Sequence, residues 1–232
     1  MPWLLTTALL ATLVQSPREP GMHSAVLEVD GVGTVTYGLW VPRDYDAAEP
    51  RPLVLALHPG GSPGPGYGAQ FLRGFVAPAL AEWGAVVVSP DAPGRRWNNE
   101  TSERGVLALI EDVRATYAID PARILVTGYS MGGRGTWYMA ARHPDLFTAA
   151  IPMAARSDPD EAPRVGDMPV FIIHPREDEV VPFEPAERTA QEMEARGQNV
   201  SFLPLEGVGH FQMRPEPLRR GGDWVRQRWA ER

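Results

Sequence analysis

Apolar positions fall into two alternating patterns along most of the chain. Leu53–Leu57 (LVLAL), Val86–Val88, Ile124–Thr127 and Val170–Ile173 (VFII) are short, nearly continuous apolar runs. Runs of that length and density predict strands buried on both faces of a parallel sheet. Between them, the stretches around Ala69–Trp83, Ser102–Tyr117 and Pro185–Arg196 predict helices, and another is expected directly after Ser130. Ala149–Met153 and Val200–Leu205 supply two more strands, and Asp223–Ala230 a closing helix. Val26–Val29 and Val35–Val41 predict an antiparallel pair around the turn Asp30-Gly31-Val32-Gly33. The sum is an α/β chain with a mainly parallel central sheet of about eight strands and helices on both faces.

Composition narrows this without redirecting it. At 232 residues and 44% hydrophobic content, residues 17–232 read as one domain, since no polar or Pro/Gly-rich linker divides them. The run Trp3–Val14 (WLLTTALLATLV) has the length of a signal peptide and is too short to span a bilayer. No Lys or Arg precedes it and Pro17 follows the candidate cleavage point at Ser16. The reading is a cleaved export signal over residues 1–16, toward secretion or the periplasm, weighed against an N-terminal helix packed on the domain. The net charge of −7 argues against nucleic acid as a partner. All 22 basic residues are scattered arginines, a pattern that reads as coding bias. With no cysteine, disulfides, thiolate metal sites and cysteine nucleophiles are excluded.

The most informative stretch is Ile124-Leu125-Val126-Thr127-Gly128-Tyr129-Ser130-Met131-Gly132-Gly133. A buried strand runs into G-x-S-x-G and then into a helical pattern, which is the context a nucleophile elbow requires. A sharp strand-to-helix turn strains the serine backbone and crowds its neighbours, hence a glycine two residues to either side. The hydroxyl then stands at a helix N-terminus, where developing negative charge is favoured. A chance match in a chain with 23 glycines is the competing reading, and the flanking strand and helix argue against it.

The segment GYSMGGRGTWYMAARHPDLFTAAIPMAA (128–155) resembles the elbow, helix and next strand of compact bacterial α/β-hydrolases. The similar groups are esterase/depolymerase-type proteins and predicted-peptidase or phospholipase/carboxylesterase-like proteins, with weaker similarity from Pro52 to the C-terminus. The resemblance implies the α/β-hydrolase fold and an ester or related substrate, and it specifies the fold far better than the substrate.

A serine hydroxyl needs a base, and the base an orienting acid, in the chain order Ser, Asp or Glu, His. Three histidines follow Ser130. His143, in Ala-Arg-His-Pro, reads as helix-stop chemistry. His174 precedes the acid candidates, which is the wrong order. His210, in Glu206-Gly207-Val208-Gly209-His210-Phe211, lies in a Gly-rich loop after the last strand and is the expected base. For the acid, the resemblance implies a loop after the penultimate strand with the acid four residues before a proline. That maps onto Asp178 in Pro175-Arg176-Glu177-Asp178-Glu179-Val180-Val181-Pro182. Glu177 and Glu179 read as solvated charges, with Glu177 kept as an alternative. Some relatives place the acid one strand earlier, which implicates Asp158.

The oxyanion needs preorganised N–H donors. Met131, after the nucleophile, is one expected donor; the loop His58-Pro59-Gly60-Gly61-Ser62 should give the other. Relatives usually read His-Gly there, but Pro59 has no N–H, so Gly60 is expected to donate, with Gly61 next. His58 is expected to hold the loop by a hydrogen bond. Trp97, Tyr129, Trp137, Phe183 and Phe211 are the candidate pocket walls, with Trp97, Tyr129 and Phe211 taken as substrate-binding and simple packing as the alternative.

The short spans from Ser130 to Asp178 to His210 leave no room for a cap domain. The expectation is a carboxylesterase acting through an acyl-enzyme on short, varied or aryl esters, free or polymer-linked. No cofactor and no metal are expected, since no closely spaced ligand set such as H-E-x-x-H occurs. A peptidase on the same three residues and an inactive binding protein are the alternatives. Dehalogenase and dienelactone-hydrolase chemistry would put Asp or Cys at the elbow, where this chain has serine.

Overall fold

A computed structural model of the chain describes residues 18–61 and 64–232. The apolar run Trp3–Val14, read above as an export signal, lies outside the described residues. The strands are β1 (Gly21–Val29), β2 (Gly33–Val41), β3 (Arg51–Leu57), β4 (Val86–Pro90), β5 (Ile119–Tyr129), β6 (Ala149–Met153), β7 (Val170–Pro175) and β8 (Val200–Leu205). They form an eight-stranded sheet in the order β1-β2-β4-β3-β5-β6-β7-β8. Only β2 runs against its neighbours; from β4 to β8 every pairing is parallel. This is the α/β-hydrolase fold, and no cap domain occurs among the described residues.

The helices are α1 (Tyr67–Phe71), α2 (Ala77–Leu80), α3 (Glu100–Thr116), α4 (Met131–Arg142), α5 (Glu161–Arg164), α6 (Phe183–Ala195) and α7 (Pro215–Ala230). A π turn, Leu72–Val76, joins α1 to α2, so the expected helix over Ala69–Trp83 is a continuous but irregular coil. Successive strand side chains point to opposite faces, and β3 shows the result. Leu53, Leu55 and Leu57 join one core with Val106, Leu109 and Ile110 of α3 and Met139 of α4. Val54 and Ala56 join the other with Leu72, Leu80, Trp83 and residues Leu218 and Val225 of α7.

Two elements are longer than the sequence pattern predicts. In β5 the pairing jumps from Arg51↔Ile119 to Leu53↔Ile124, so Asp120–Arg123 bulge out and only Ile124 onward shows the apolar run. In α7 the first two turns carry Pro215, which suits a first helical position, but also Pro217, Gly221 and Gly222, which weaken the helical pattern. Packing overrides propensity there. A Cβ on Gly221 would come within 2.8 Å of Phe171, and one on Gly222 would run into Trp83. Gly221 lets α7 approach the sheet at Phe171, and Gly222 lets it approach Trp83 and Leu80 at the end of α2.

Candidate active site

The sites expected from the sequence gather at the carboxyl ends of the parallel strands, where ligands bind in open α/β sheets. Ser130 follows β5 and occupies φ 55°, ψ −115°, a conformation that costs a non-glycine residue about 1–3 kcal/mol. The surrounding main chain enforces it. Ser130 N–H donates to the Met153 carbonyl at 2.9 Å, and the Ser130 carbonyl accepts from Arg134 N–H at 2.9 Å. Gly128, Gly132 and Gly133 are needed for close approach. A Cβ on Gly132 would strike the Leu57 carbonyl, and one on Gly133 the Met153 carbonyl.

The imidazole of His210 lies between Ser130 and Asp178. Its Nδ1 is 2.8 and 2.9 Å from the two Asp178 oxygens, and its Nε2 is 2.8 Å from Ser130 Oγ. A carboxylate only accepts, so Nδ1 carries the proton and the free Nε2 accepts from the serine hydroxyl. The Asp178 side chain is fully buried, and its Oδ1 also accepts from Val180 N–H (2.9 Å) and Val181 N–H (2.7 Å). Three donors on one carboxylate, the His210 Nδ1–H shared between both oxygens, fix its plane and with it the imidazole's.

At the other side of Ser130, the β3 loop reaches the N-terminus of α4. An added Cβ on Gly60 would sit 3.6 Å from Met131 Cβ, so the two expected oxyanion donors are neighbours. Met131 N–H is among the first of α4 and has no partner within its helix. Gly61 takes φ +120°, a conformation that favours glycine. His58 is buried and ties the loop down. Its Nδ1 donates to the Pro59 carbonyl at 2.7 Å and its Nε2 accepts from Ala92 N–H at 3.2 Å. Burial holds the His58 pKa below the ordinary value, which keeps that acceptor free of a proton.

Several expectations are corrected. Trp97 is 1% exposed and is no pocket wall: its ring packs edge-on against His58, and its Nε1–H donates to the His58 carbonyl at 2.9 Å. Trp137 and Phe183 are likewise buried in the core. Tyr129 is half-buried, and its hydroxyl donates to the His210 carbonyl instead of waiting for a ligand. Phe211 is 78% exposed, standing edge-on to His210 at the surface. Glu179 is exposed, as expected of a loop charge, but it is not idle: its Oε2 accepts from His210 N–H at 2.8 Å. Asp158 pairs with Arg134, and Glu177 is exposed, so neither alternative acid meets the His210 imidazole. His174 is buried beside the acid, its Nε2 3.5 Å from Asp178 Oδ2 and donating to the Val181 carbonyl at 3.0 Å. His143 caps α4 as expected and donates to Glu103 at 2.8 Å.

Above Ser130 opens a cleft of about 430 Å³ lined by Arg96, Asn98, Met131, Arg134, Arg156 and Val181. The sequence reading named Met131 but missed the polar walls Arg96, Asn98, Arg134 and Arg156. Their one signal was position: Arg96, Asn98 and Arg156 follow strand ends, and Arg134 lies one helical turn beyond Ser130. Among the described residues, no three His, Asp or Glu side chains converge as metal ligands would, and no helix is long and apolar enough to cross a membrane.

Residues 90–220, over half of the chain, match the model of the dienelactone hydrolase family. A probable feruloyl esterase C from Aspergillus terreus is 28% identical over 166 residues, covering 63% of this chain and 57% of the relative. The chain thus spans little more than half the length of that curated relative. Among solved structures, a thermostable esterase superposes with a TM-score of 0.70 at 28% identity, over 90% of this chain and 61% of that one. Est1E from Butyrivibrio proteoclasticus has the same fold, with a TM-score of 0.70 at 17% identity over 90% and 99%.

Proposed function

The chain belongs to the dienelactone hydrolase family, and within it we propose that this protein is a carboxylic-ester hydrolase working through an acyl-enzyme on Ser130. The observation that carries the proposal is the unbroken chain of hydrogen bonds Ser130 Oγ–His210 Nε2 (2.8 Å) and His210 Nδ1–Asp178 (2.8 Å). His210 accepts the Ser130 proton as Oγ attacks the ester carbonyl, and Asp178 stabilises the imidazolium and holds its tautomer. The oxyanion is held by the N–H groups of Met131 and Gly60. His210 then protonates the departing alkoxide. Water, deprotonated by the same imidazole, releases the acid and restores Ser130.

The relatives named as esterases, one of them a probable feruloyl esterase, support an ester over an amide and an aryl-substituted acyl group among the substrates. Serine at the elbow, where dienelactone hydrolysis would use cysteine, supports ordinary ester cleavage within the family. The open cleft above Ser130 suits short or aryl acyl groups and alcohols that extend beyond the site, including polymer-linked ones.

The test is a panel of acyl and aryl esters with matched amides, run alongside a fluorophosphonate probe. One label at Ser130, ester turnover well above amide turnover, and loss of both label and turnover in Ser130→Ala are the expected results. Labelling elsewhere, or full activity in Ser130→Ala, rejects the proposal.

A further inference from the structure

The base stands on an exposed loop. His210 opens a short 3₁₀ turn (His210–Gln212) between β8 and α7, preceded by Gly207 at φ +69° and followed by the exposed Phe211. Asp178 fixes the imidazole ring but exerts no hold on the main chain that carries it. That hold comes from two side chains on other elements. Glu179 Oε2 accepts from His210 N–H at 2.8 Å, and the Tyr129 hydroxyl donates to the His210 carbonyl. Glu179 follows the acid in sequence and Tyr129 precedes the nucleophile, so each neighbouring member of the trio holds the base through an adjacent residue.

The surroundings fit this use. The Tyr129 ring is stacked on Phe75 (6.1 Å between centroids, 10° between planes) and lies 5.3 Å from the His210 ring. Burial, with the charges of Asp178 and Glu179, pushes the phenol pKa up to about 12, so the hydroxyl remains a donor at neutral pH. An added Cβ on Gly209 would lie 2.5 Å from Glu179 Oε2, which shows how closely the carboxylate is seated under the loop. Gln212 Oε1 accepts from Gly209 N–H at 2.9 Å and closes the turn on itself.

We propose that Tyr129 and Glu179 are positioning residues that clamp both main-chain polar groups of His210, keeping Nε2 in register with Ser130 Oγ. The proposal rests on the acyl-enzyme reading above. Neither side chain lines the cleft over Ser130, so loss of the clamp should lower kcat and leave KM alone. A displacement near 1 Å can cost about 10²-fold, and Tyr129→Phe and Glu179→Ala should each lose ~10- to 100-fold in kcat.

Glu179→Gln keeps a carbonyl acceptor at the same reach and should recover most of the activity that Glu179→Ala loses. The experiment measures kcat, KM and the fluorophosphonate labelling rate for all three variants beside Ser130→Ala, with thermal melts to establish folding. A kcat loss at unchanged KM, slower labelling in parallel and recovery in Glu179→Gln support the clamp. Unchanged kcat in folded Tyr129→Phe and Glu179→Ala, with Ser130→Ala inactive, overturns the clamp alone. Equal loss in Glu179→Gln and Glu179→Ala also overturns it, because charge and not position would then matter. Should Tyr129→Phe fail to fold, the Glu179 pair decides. Full activity in Ser130→Ala overturns both readings.

Discussion

Ser130 and His210 face each other across 2.8 Å, yet they are held by different kinds of structure. Around Ser130 the restraints are main chain on main chain: a strand end, a helix start, the Met153 carbonyl, and glycines packed against neighbouring carbonyls. Around His210 they are side chains, namely Asp178, Glu179, Tyr129 and Gln212, reaching into a surface loop. The difference teaches where each half can fail. The serine cannot be displaced without disturbing the sheet, whereas His210, the proposed base, can be detuned one contact at a time in a folded protein.

Asp178→Asn breaks the base half most severely. It removes the charge that supports the imidazolium and allows the wrong tautomer, so kcat should fall by on the order of 10⁴-fold. The melting temperature is measured alongside; a kcat near wild type would show that Asp178 is not the acid.

Gly132→Ala tests the nucleophile half. The new methyl meets the Leu57 carbonyl in the middle of the fold, and overpacking of that kind costs about 3 kcal/mol. The melting temperature should drop by on the order of 10 °C for a domain this size. A melting curve unchanged from wild type would mean that the elbow backbone is more yielding than this packing implies.

The smallest effect concerns pH. His58 ties down the loop after β3 and His174 lies beside Asp178; both are fully buried, and burial pushes both pKa values below 6.5. The unfolded chain therefore takes up protons first as pH falls through about 6.5, so stability declines on the acid side. The melting temperature should fall from about pH 6.5 downward. His174→Gln should flatten that slope; an identical slope in the variant would remove His174 from the account.

How much of this was legible in the sequence follows the same division. The elbow is local, ten consecutive residues whose strand, glycines and helix declare themselves, and Ser130 could be read from them. That Asp178 and His210 would meet beside Ser130 was legible by order and by resemblance, each in a loop after a strand. Glu179 and the hydroxyl of Tyr129 were not, because their partner lies 31 and 81 residues away and neither has a local signature. Trp97 was misread because sequence places a residue near a strand end but does not say whether it points into the cleft or beneath it. The first half of α7 was missed because its paired glycines are explained only by Phe171 and Trp83, against which Gly221 and Gly222 pack.

The contact between Tyr129 and the His210 carbonyl has a consequence for how such chains diverge. The second position of G-x-S-x-G would ordinarily be free to drift, since only the glycines and serine are fixed by the turn. Here it is tied to the length and path of a loop 81 residues downstream. Lineages that lengthen or reroute the loop carrying the base should have released the tyrosine, and lineages that keep its path should have kept an aromatic hydroxyl there. Position 129 and the β8–α7 loop should therefore change together, as a pair inherited or lost as one.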